Sequence, residues 1–206
     1  MKLLLSKEVA RFVLILGIIA PLIFSITEIV TGVVTKNYNF ISQSISELSA
    51  VGASTRPYVV SLNIIGYLFV MIFGLGVWYF AEQNWALNVV AILFILHAVF
   101  GLVWLFFPMH VGESPSTINV VFGALTVMSL TLAIFFGAVA FSGWFRVLSI
   151  TIIIIFVLAA IIGLWIAPRF MANSKPTIGV QERTMSYIIY LWMVALVAVL
   201  IQTKIS

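Results

Sequence analysis

The sequence contains no cysteine and no aspartate. Without cysteine, the chain can form no disulfide, no thiolate nucleophile and no zinc–thiolate site. All carboxylate side-chain chemistry therefore depends on six glutamates. The two histidines, His97 and His110, are too few and too far apart for a metal or haem site, and no phosphate-binding glycine loop, HExxH or GxSxG motif is present. We predict neither a metal nor a cofactor.

Charged residues are also scarce. They make up 8% of the chain, whereas typical soluble domains carry about 25%, and 64% of residues are hydrophobic. A soluble fold of this length has too little interior to bury that much apolar surface, so lipid must be the solvent for most of the chain. The net charge of +4 is spread without a basic run, which favours membrane lipids and not nucleic acid as partners.

Long apolar runs define the organisation of the chain. Because a helix needs about 20 apolar residues to cross the hydrocarbon layer, six segments qualify as spans. They are residues 12–34, 58–81, 85–107, 118–141, 146–167 and 185–203. The first run is too long for a signal peptide, and the alternation of barrel strands is missing. The sequence therefore predicts an all-α, polytopic membrane protein, with a six-transmembrane-helix bundle in a single domain covering residues 1–206.

The connections between the spans alternate in length, which suggests an orientation. The tight turns "EQN" and "SGWF" fall on the same side as both termini if the number of spans is even. Lys2, Lys7 and Arg11 precede the first span, so the positive-inside rule predicts cytoplasmic termini in a multi-pass protein of the cell membrane. The longer loops, which would then be extracytoplasmic, are residues 35–57, 108–117 and 168–184.

Most of the ionisable side chains lie in these three longer loops or at the adjoining helix ends. If the bundle is closely packed, the loops converge and bring carboxylates, a histidine and several cations together. A histidine beside a glutamate suits acid–base catalysis, which makes Glu47 and His110 the candidate catalytic residues, and arginine can hold a phosphate or carboxylate. The alternative is that such charges are simply solvated. The set comprises Glu47, Arg56, His110, Glu113, Arg169, Lys175, Glu182 and Arg183.

Glu47 lies in the segment "ISQSISEL", where Ile41, Ile45 and Leu48 recur at helical spacing. This spacing predicts an amphipathic turn lying on the bundle, which would fix the Glu47 carboxylate in place. Two interpretations follow from the residues. Glu47 either serves function directly or forms a structural ion pair with Arg56 or Arg183.

Three polar residues fall within the predicted spans. An ionisable group at mid-bilayer costs on the order of 3 kcal/mol, so Glu28 in the first span should face a partner or a cavity, unless it reaches the nearby interface. His97, in the middle of the third span, is expected to be neutral and hydrogen-bonded to another helix, with a proton relay as the alternative. Asn63 would join helices or face the outer cluster.

Two segments resemble a known family. "ISQSISELSAVGASTRPYVVSLNIIGYLF" and "IGVQERTMSYIIYLWMVALVAVLI" resemble the first loop and the closing span of domain of unknown function 998, and "GLVWLFFP" resembles the end of its third span. The family consists of small bacterial and archaeal membrane proteins with six spans. Its layout is distantly similar to that of eukaryotic six-span proteins involved in lipid-anchor remodelling and autophagy. The resemblance points to Ser46, Glu47, Arg56, Asn63, Glu182 and Arg183 as ligand-binding residues. Glu28, His110 and Glu113 are further candidates by their positions in the chain, and the segment that holds His110 and Glu113 departs from the family pattern.

Three functions fit these observations. The first is binding or processing of a lipid or lipid-linked ligand through the extracytoplasmic polar cluster, with Arg56 and Arg183 on an anionic group. The second is an accessory membrane subunit, acting as a homo-oligomer or with a partner membrane protein, in which the cluster is a stabilising latch. The third is a small proton-coupled transporter that uses Glu28, His97 and Glu47, although its inner half is almost free of ionisable groups.

Overall fold

The computed structural model of the chain is a bundle of helices. It describes residues 7–111, 115–170 and 177–204, with side chains described for 8–111, 115–159 and 177–204. No β-strand occurs in these ranges, and a short 3-10 helix, Ile45–Ser49, lies between the first two long helices. The long helices are α1 Lys7–Val34, α2 Arg56–Ala81, α3 Trp85–Trp104, α4 Thr117–Ala140, α5 Trp144–Phe170 and α6 Ile178–Lys204.

The helices have the length and composition of membrane spans. Within the described residues, α1, α2, α3, α4 and α6 are long and apolar enough to cross a bilayer, and α5 contributes the apolar stretch Trp144–Ala159. Because a helix satisfies its own backbone hydrogen bonds, this architecture suits a hydrocarbon solvent. The predicted all-α, multi-pass membrane fold is confirmed.

Two helix boundaries that bear on the site differ from the predicted spans. The third span was expected to reach residue 107, but α3 ends at Trp104 and the next residues form a turn ahead of Pro108, because a proline disfavours helical conformation in the residue before it. The last span was expected to begin at residue 185, but α6 begins at Ile178. Glu182 and Arg183 therefore lie within the second turn of a helix and not in a loop.

The six helices form a ring around an apolar core. Each of α1 to α4 packs against the next helix in the chain, and α6 returns to pack on α1 and α5. Trp192 of α6 is fully buried among Phe94 and Phe145, and its indole nitrogen donates a hydrogen bond of 2.9 Å to Ser149 Oγ of α5. Close packing and such interhelical hydrogen bonds are what hold helices together in lipid.

The bundle has two different ends. At the turn end, Lys204 Nζ lies 3.5 Å from Glu82 Oε2, and Asn84 of the α2–α3 turn donates to the carbonyl of Ala140 at the end of α4. At the opposite end, which we call the loop end, residues 35–55 form a segment that lies over the bundle. We call this segment the cap. Val51 of the cap and His110 of the α3–α4 loop form a short parallel bridge, with Val51 N donating to Met109 O at 2.8 Å.

Candidate functional site

The cap is shaped by its own polar side chains. Asn39 Oδ1 accepts hydrogen bonds from the backbone nitrogens of Ile41 and Ser42, at 2.8 and 3.2 Å, which turns the chain after α1. Leu48, in the 3-10 helix, is buried against the bundle, so the predicted amphipathic turn exists. Of the apolar residues that suggested it, Ile41 remains exposed.

Glu47 is held by neighbours in the cap. Its Oε1 accepts a hydrogen bond from Ser44 N at 3.0 Å, and its Oε2 accepts one from Gln43 Nε2 at 2.7 Å. This is the arrangement of a capping box, in which a glutamate satisfies an orphan backbone donor at a helix start. Among the described residues Glu47 forms no ion pair, so the predicted pairing with Arg56 or Arg183 was wrong.

Arg183 pairs instead with Glu28. Its Nε lies 2.5 Å from Glu28 Oε1, and both side chains are buried, with exposed fractions of 9% and 5%. The expectation that Glu28 faces a partner is therefore met, and the partner is on the last helix. Tyr187 Oη, one turn along α6, donates a weak hydrogen bond of 3.4 Å to the other Glu28 oxygen.

The rest of the Arg183 guanidinium contacts the cap. Nη1 donates to the carbonyl oxygens of Phe40 and Gln43, at 2.7 and 3.1 Å, and Nη2 donates to Tyr38 Oη at 2.6 Å. The guanidinium carbon also lies 4.9 Å from the ring centre of Phe40, within cation–π distance. We call Glu28, Arg183 and these cap residues the latch. It joins α1, α6 and the cap through one side chain.

Tyr38 extends the latch within the cap. Its hydroxyl accepts from Arg183 and donates to the carbonyl of Ser44 at 2.7 Å. Burial raises the pKa of Tyr38 above its ordinary value, although the hydrogen bond from Arg183 opposes that shift. The phenol therefore stays protonated and keeps its donor role at neutral pH.

The start of α6 approaches the cap backbone closely. Glu182 Oε2 accepts a hydrogen bond of 2.7 Å from Ile45 N, the first residue of the 3-10 helix, and Val180 N donates to Ile41 O. A Cβ atom at Gly179 would collide with the carbonyl oxygens of Phe40 and Gln43, the same two that accept from Arg183. Glycine at this position is what allows the cap to rest on α6.

Arg56 occupies a separate place at the loop end. Its Nη1 donates to the Ser49 carbonyl, while its Nε and Nη2 make no hydrogen bond with any described residue. It lines a narrow crevice without interior space for a water molecule, which we call the Arg56 crevice. The walls also include Ser46, Ser49, Trp104, Met109 and Asn119. Asn119 donates a hydrogen bond of 2.6 Å to Phe107 O, which fixes the α3–α4 loop on that side.

The other predicted site residues are dispersed. Asn63 is half-buried in α2 and makes no hydrogen bond with the described residues, and His110 is exposed on its bridge with Val51. Glu113 and Lys175 lie outside the described residues, as does the side chain of Arg169. The loop-end polar residues thus form two groups, the latch and the Arg56 crevice, and not one shared cluster.

His97 behaves as a buried structural histidine. Its Nδ1 lies 3.0 Å from the carbonyl of Thr126 on α4, and its ring packs 5.6 Å from that of Tyr67. Since a carbonyl only accepts hydrogen bonds, Nδ1 carries the proton and the ring donates. The predicted bond to another helix is confirmed.

The sequence prediction did not include the latch residues Tyr38, Phe40 and Gln43, or Gly179 beside them. It was based on charged residues, and none of these four carries a formal charge. The signal that was available is the aromatic pair in "NYNF" directly after α1, because aromatic faces and phenol oxygens are natural partners for a buried arginine.

Comparison with known proteins agrees with the fold. No curated protein and no solved structure shows significant similarity to the chain. A family model described as "Protein of unknown function (DUF998)" matches residues 18–199, which include the cap, the latch and the Arg56 crevice. The chain, with its bundle of membrane-spanning helices, therefore belongs to the DUF998 family.

Proposed function

We propose that the protein binds the anionic head group of a lipid or lipid-linked molecule at the loop end, with Arg56 as the residue that contacts the anion. In this proposal the loop end faces the extracytoplasmic side, in keeping with the basic residues Lys2, Lys7 and Arg11 ahead of α1. The observation that carries it is the incompletely used guanidinium of Arg56 in the wall of a crevice.

The two arginines first considered for this role differ in what remains available to a ligand. Every nitrogen of Arg183 already has a partner in the latch, so a ligand would have to displace protein acceptors. Arg56 keeps Nε and Nη2 without partners among the described residues. Two adjacent guanidinium donors can form a bidentate pair with a phosphate or carboxylate. The geometry therefore favours Arg56.

The surroundings of Arg56 suit a lipid. Tyr58, Phe106 and Val111 lie at the same end of the bundle and are 67%, 80% and 60% exposed. Exposed apolar and aromatic residues beside a cation provide contacts for acyl chains next to the contact for a head group. The crevice has no interior space for a water-sized molecule, so the anionic group would contact the partly exposed Arg56 guanidinium at the mouth of the crevice.

The test is retention of lipid by Arg56→Gln. The protein is purified from membranes in mild detergent, and the lipids that remain bound are identified by native mass spectrometry. Loss of charge-assisted hydrogen bonds should reduce retention of the anionic lipid by about tenfold. Thermal unfolding should change little, because Arg56 anchors only one backbone carbonyl.

Lys36→Gln is the matched control. Lys36 is an exposed cation of the cap, so its removal lowers the charge of the loop end equally without touching the crevice. Equal losses in the two variants would mean general attraction of anions to the surface and would contradict the proposal. Unchanged lipid retention in Arg56→Gln would contradict it directly.

A second candidate function is an accessory membrane subunit, and the latch favours it. Arg183 has four partners in the latch, and Glu182 accepts a hydrogen bond from the cap backbone. All of these contacts lie within the chain, so this part of the loop end stabilises the fold. The hydrogen bonds that engage both oxygens of Glu47 favour a structural role for it over that of a catalytic base. A protein that retains no lipid yet co-purifies with a partner membrane protein would support this function.

A further inference from the structure

A groove opens between α4 and α5, near the turn end of the bundle. It has a volume of about 320 Å³ and is lined only by apolar side chains. Phe135, Ala138 and Val139 form one wall, and Ile150, Ile153 and Ile154 form the other. We call this feature the α4–α5 groove. It is open to the side of the bundle, since most of its lining residues are partly exposed.

The positively charged side chain of Arg146 lies at one end of the groove. Arg146, in the first turn of α5, donates from Nε to the carbonyl oxygens of Ala138 and Phe141, at 3.0 and 2.8 Å. Ala138 is itself part of the groove wall, so these bonds fix the guanidinium at its mouth. Nη1 and Nη2 make no hydrogen bond with the described residues, and the side chain is exposed.

The groove lies within one leaflet. Its lining residues on α5, Ile150 to Ile154, stand six to ten residues beyond Trp144, which is a rise of about 9–15 Å at 1.5 Å per residue. The hydrocarbon core of a bilayer is about 30 Å thick, so the groove lies in the half nearer the turn end. Trp144, 56% exposed beside Arg146, is the kind of residue that marks a membrane–water interface.

From this arrangement we infer that the α4–α5 groove is a binding site for a phospholipid with a net negative head group. One acyl chain lies against the isoleucines of α5, and the phosphate contacts Nη1 and Nη2 of Arg146. The site is at the opposite end of the molecule from the Arg56 crevice and does not depend on the function proposed for it.

Charge favours a lipid over a second copy of the chain as the occupant. A second copy would have to supply a carboxylate for Arg146 at the turn end. Among the described residues the carboxylates at that end are Glu8 and Glu82, and Glu82 already lies beside Lys204. An anionic phospholipid brings its own negative charge at the correct depth, together with the chain that fills the apolar groove.

The inference is tested with purified full-length protein and an equimolar mixture of dioleoyl phosphatidylglycerol and dioleoyl phosphatidylcholine in detergent, by native mass spectrometry. The wild-type protein should bind phosphatidylglycerol preferentially. Arg146→Gln should weaken that binding by about tenfold, because charge-assisted hydrogen bonds are lost. Ile154→Trp, which places a larger side chain in the groove, should weaken the binding of both lipids.

One control variant and one fallback make the result decisive. Arg11→Gln removes an exposed cation at the same end of the bundle, away from the groove, and should leave the preference intact. Arg146 also caps the end of α4, so its variant could fail to fold, and Ile154→Trp then decides alone because it alters no polar contact. The inference is overturned if Ile154→Trp binds both lipids normally, if Arg11→Gln matches Arg146→Gln, or if Ile154→Trp converts a dimer into a monomer without affecting lipid.

Discussion

At the scale of single residues, Tyr38 shows how an uncharged side chain organises charged ones. Its phenol oxygen accepts from Arg183 and its proton goes to the Ser44 carbonyl, so it links a buried cation to the cap backbone. Only the neutral phenol makes both bonds at once, because the bond to the Ser44 carbonyl uses its proton. The pKa of Tyr38, raised by burial, ensures that the neutral form persists.

We expect Tyr38→Phe to destabilise the protein by about 1.5–3 kcal/mol, the range for a hydrogen bond to a charged group. Because the pKa of Tyr38 is higher in the folded protein than its ordinary value of 10.0, the contribution is complete below that value. It is lost as pH rises through the higher, folded-state pKa. Thermal unfolding in detergent between neutral and strongly alkaline pH measures the difference between wild type and variant.

Tyr58→Phe is the control. Because the Tyr58 side chain is exposed, removal of its hydroxyl should change the unfolding temperature little. A stability difference between wild type and Tyr38→Phe that stayed constant through the alkaline range would mean that the phenol proton is not used in the folded state.

At the scale of elements, the junction between α6 and the cap depends on the absence of a side chain. Gly179 lets the first turn of α6 lie against the carbonyls of Phe40 and Gln43. Those carbonyls are also the acceptors for Arg183, one turn further along. Steric fit and charge recognition therefore act on the same two peptide groups.

Gly179→Ala should lower the stability of the junction by about 1–3 kcal/mol, the usual cost of overpacking a close contact. The matched change is Gly123→Ala in α4, where a Cβ would meet only Trp104 at 3.4 Å, an ordinary contact distance. Amide hydrogen exchange followed by mass spectrometry should show faster exchange in residues 38–49 for the first variant alone. Equal protection in both variants would show that the cap does not rest on α6.

The elements differ in how well the sequence predicts them. The spans were predictable because uninterrupted apolar runs have no other stable solution than helices in lipid. The start of α6 was not, because Glu182 and Arg183 were taken as loop residues when their partners on α1 and the cap allow them inside a helix. Ser46 and Arg56 lie near the α3–α4 loop, as expected if the loops converge.

The ion pairs were the part that residue patterns could not supply. Glu47, Arg56, Glu182 and Arg183 offered several pairings, and only three-dimensional proximity chooses among them. Arg183 pairs with Glu28, which was not grouped with the loop residues in the prediction because it lies within a span. A carboxylate inside the membrane has the strongest need for a cation, so the pairing that removes this cost is the one that forms.

At the scale of the whole molecule, the Glu28–Arg183 pair joins the first and last helices and so closes the ring. Breaking a buried pair leaves one charge without a partner, which costs about 3–5 kcal/mol. We expect this loss in Arg183→Gln, and a smaller one in the double variant Glu28→Gln with Arg183→Gln, since no buried charge then remains. Thermal unfolding of the wild type, Glu28→Gln, Arg183→Gln and the double variant in one detergent measures the coupling.

Lys204→Gln serves as the control, because it removes the other ion pair in the described residues, Lys204 with Glu82, where the partners are 26% and 59% exposed. Exposed pairs contribute about 0–1 kcal/mol, so the change should be small. Additive losses at Glu28 and Arg183 would show that the two residues do not act as a pair.

The pairing of the first helix with the last has a consequence for biosynthesis. Glu28 leaves the ribosome about 150 residues before Arg183, which at about 5–20 residues per second means a wait of roughly ten to thirty seconds. During that interval the carboxylate lacks the counter-ion that it has in the folded bundle. The ring can close only when the final helix arrives, so a chain that stops short of α6 carries an acid in its first helix without the partner from the last one.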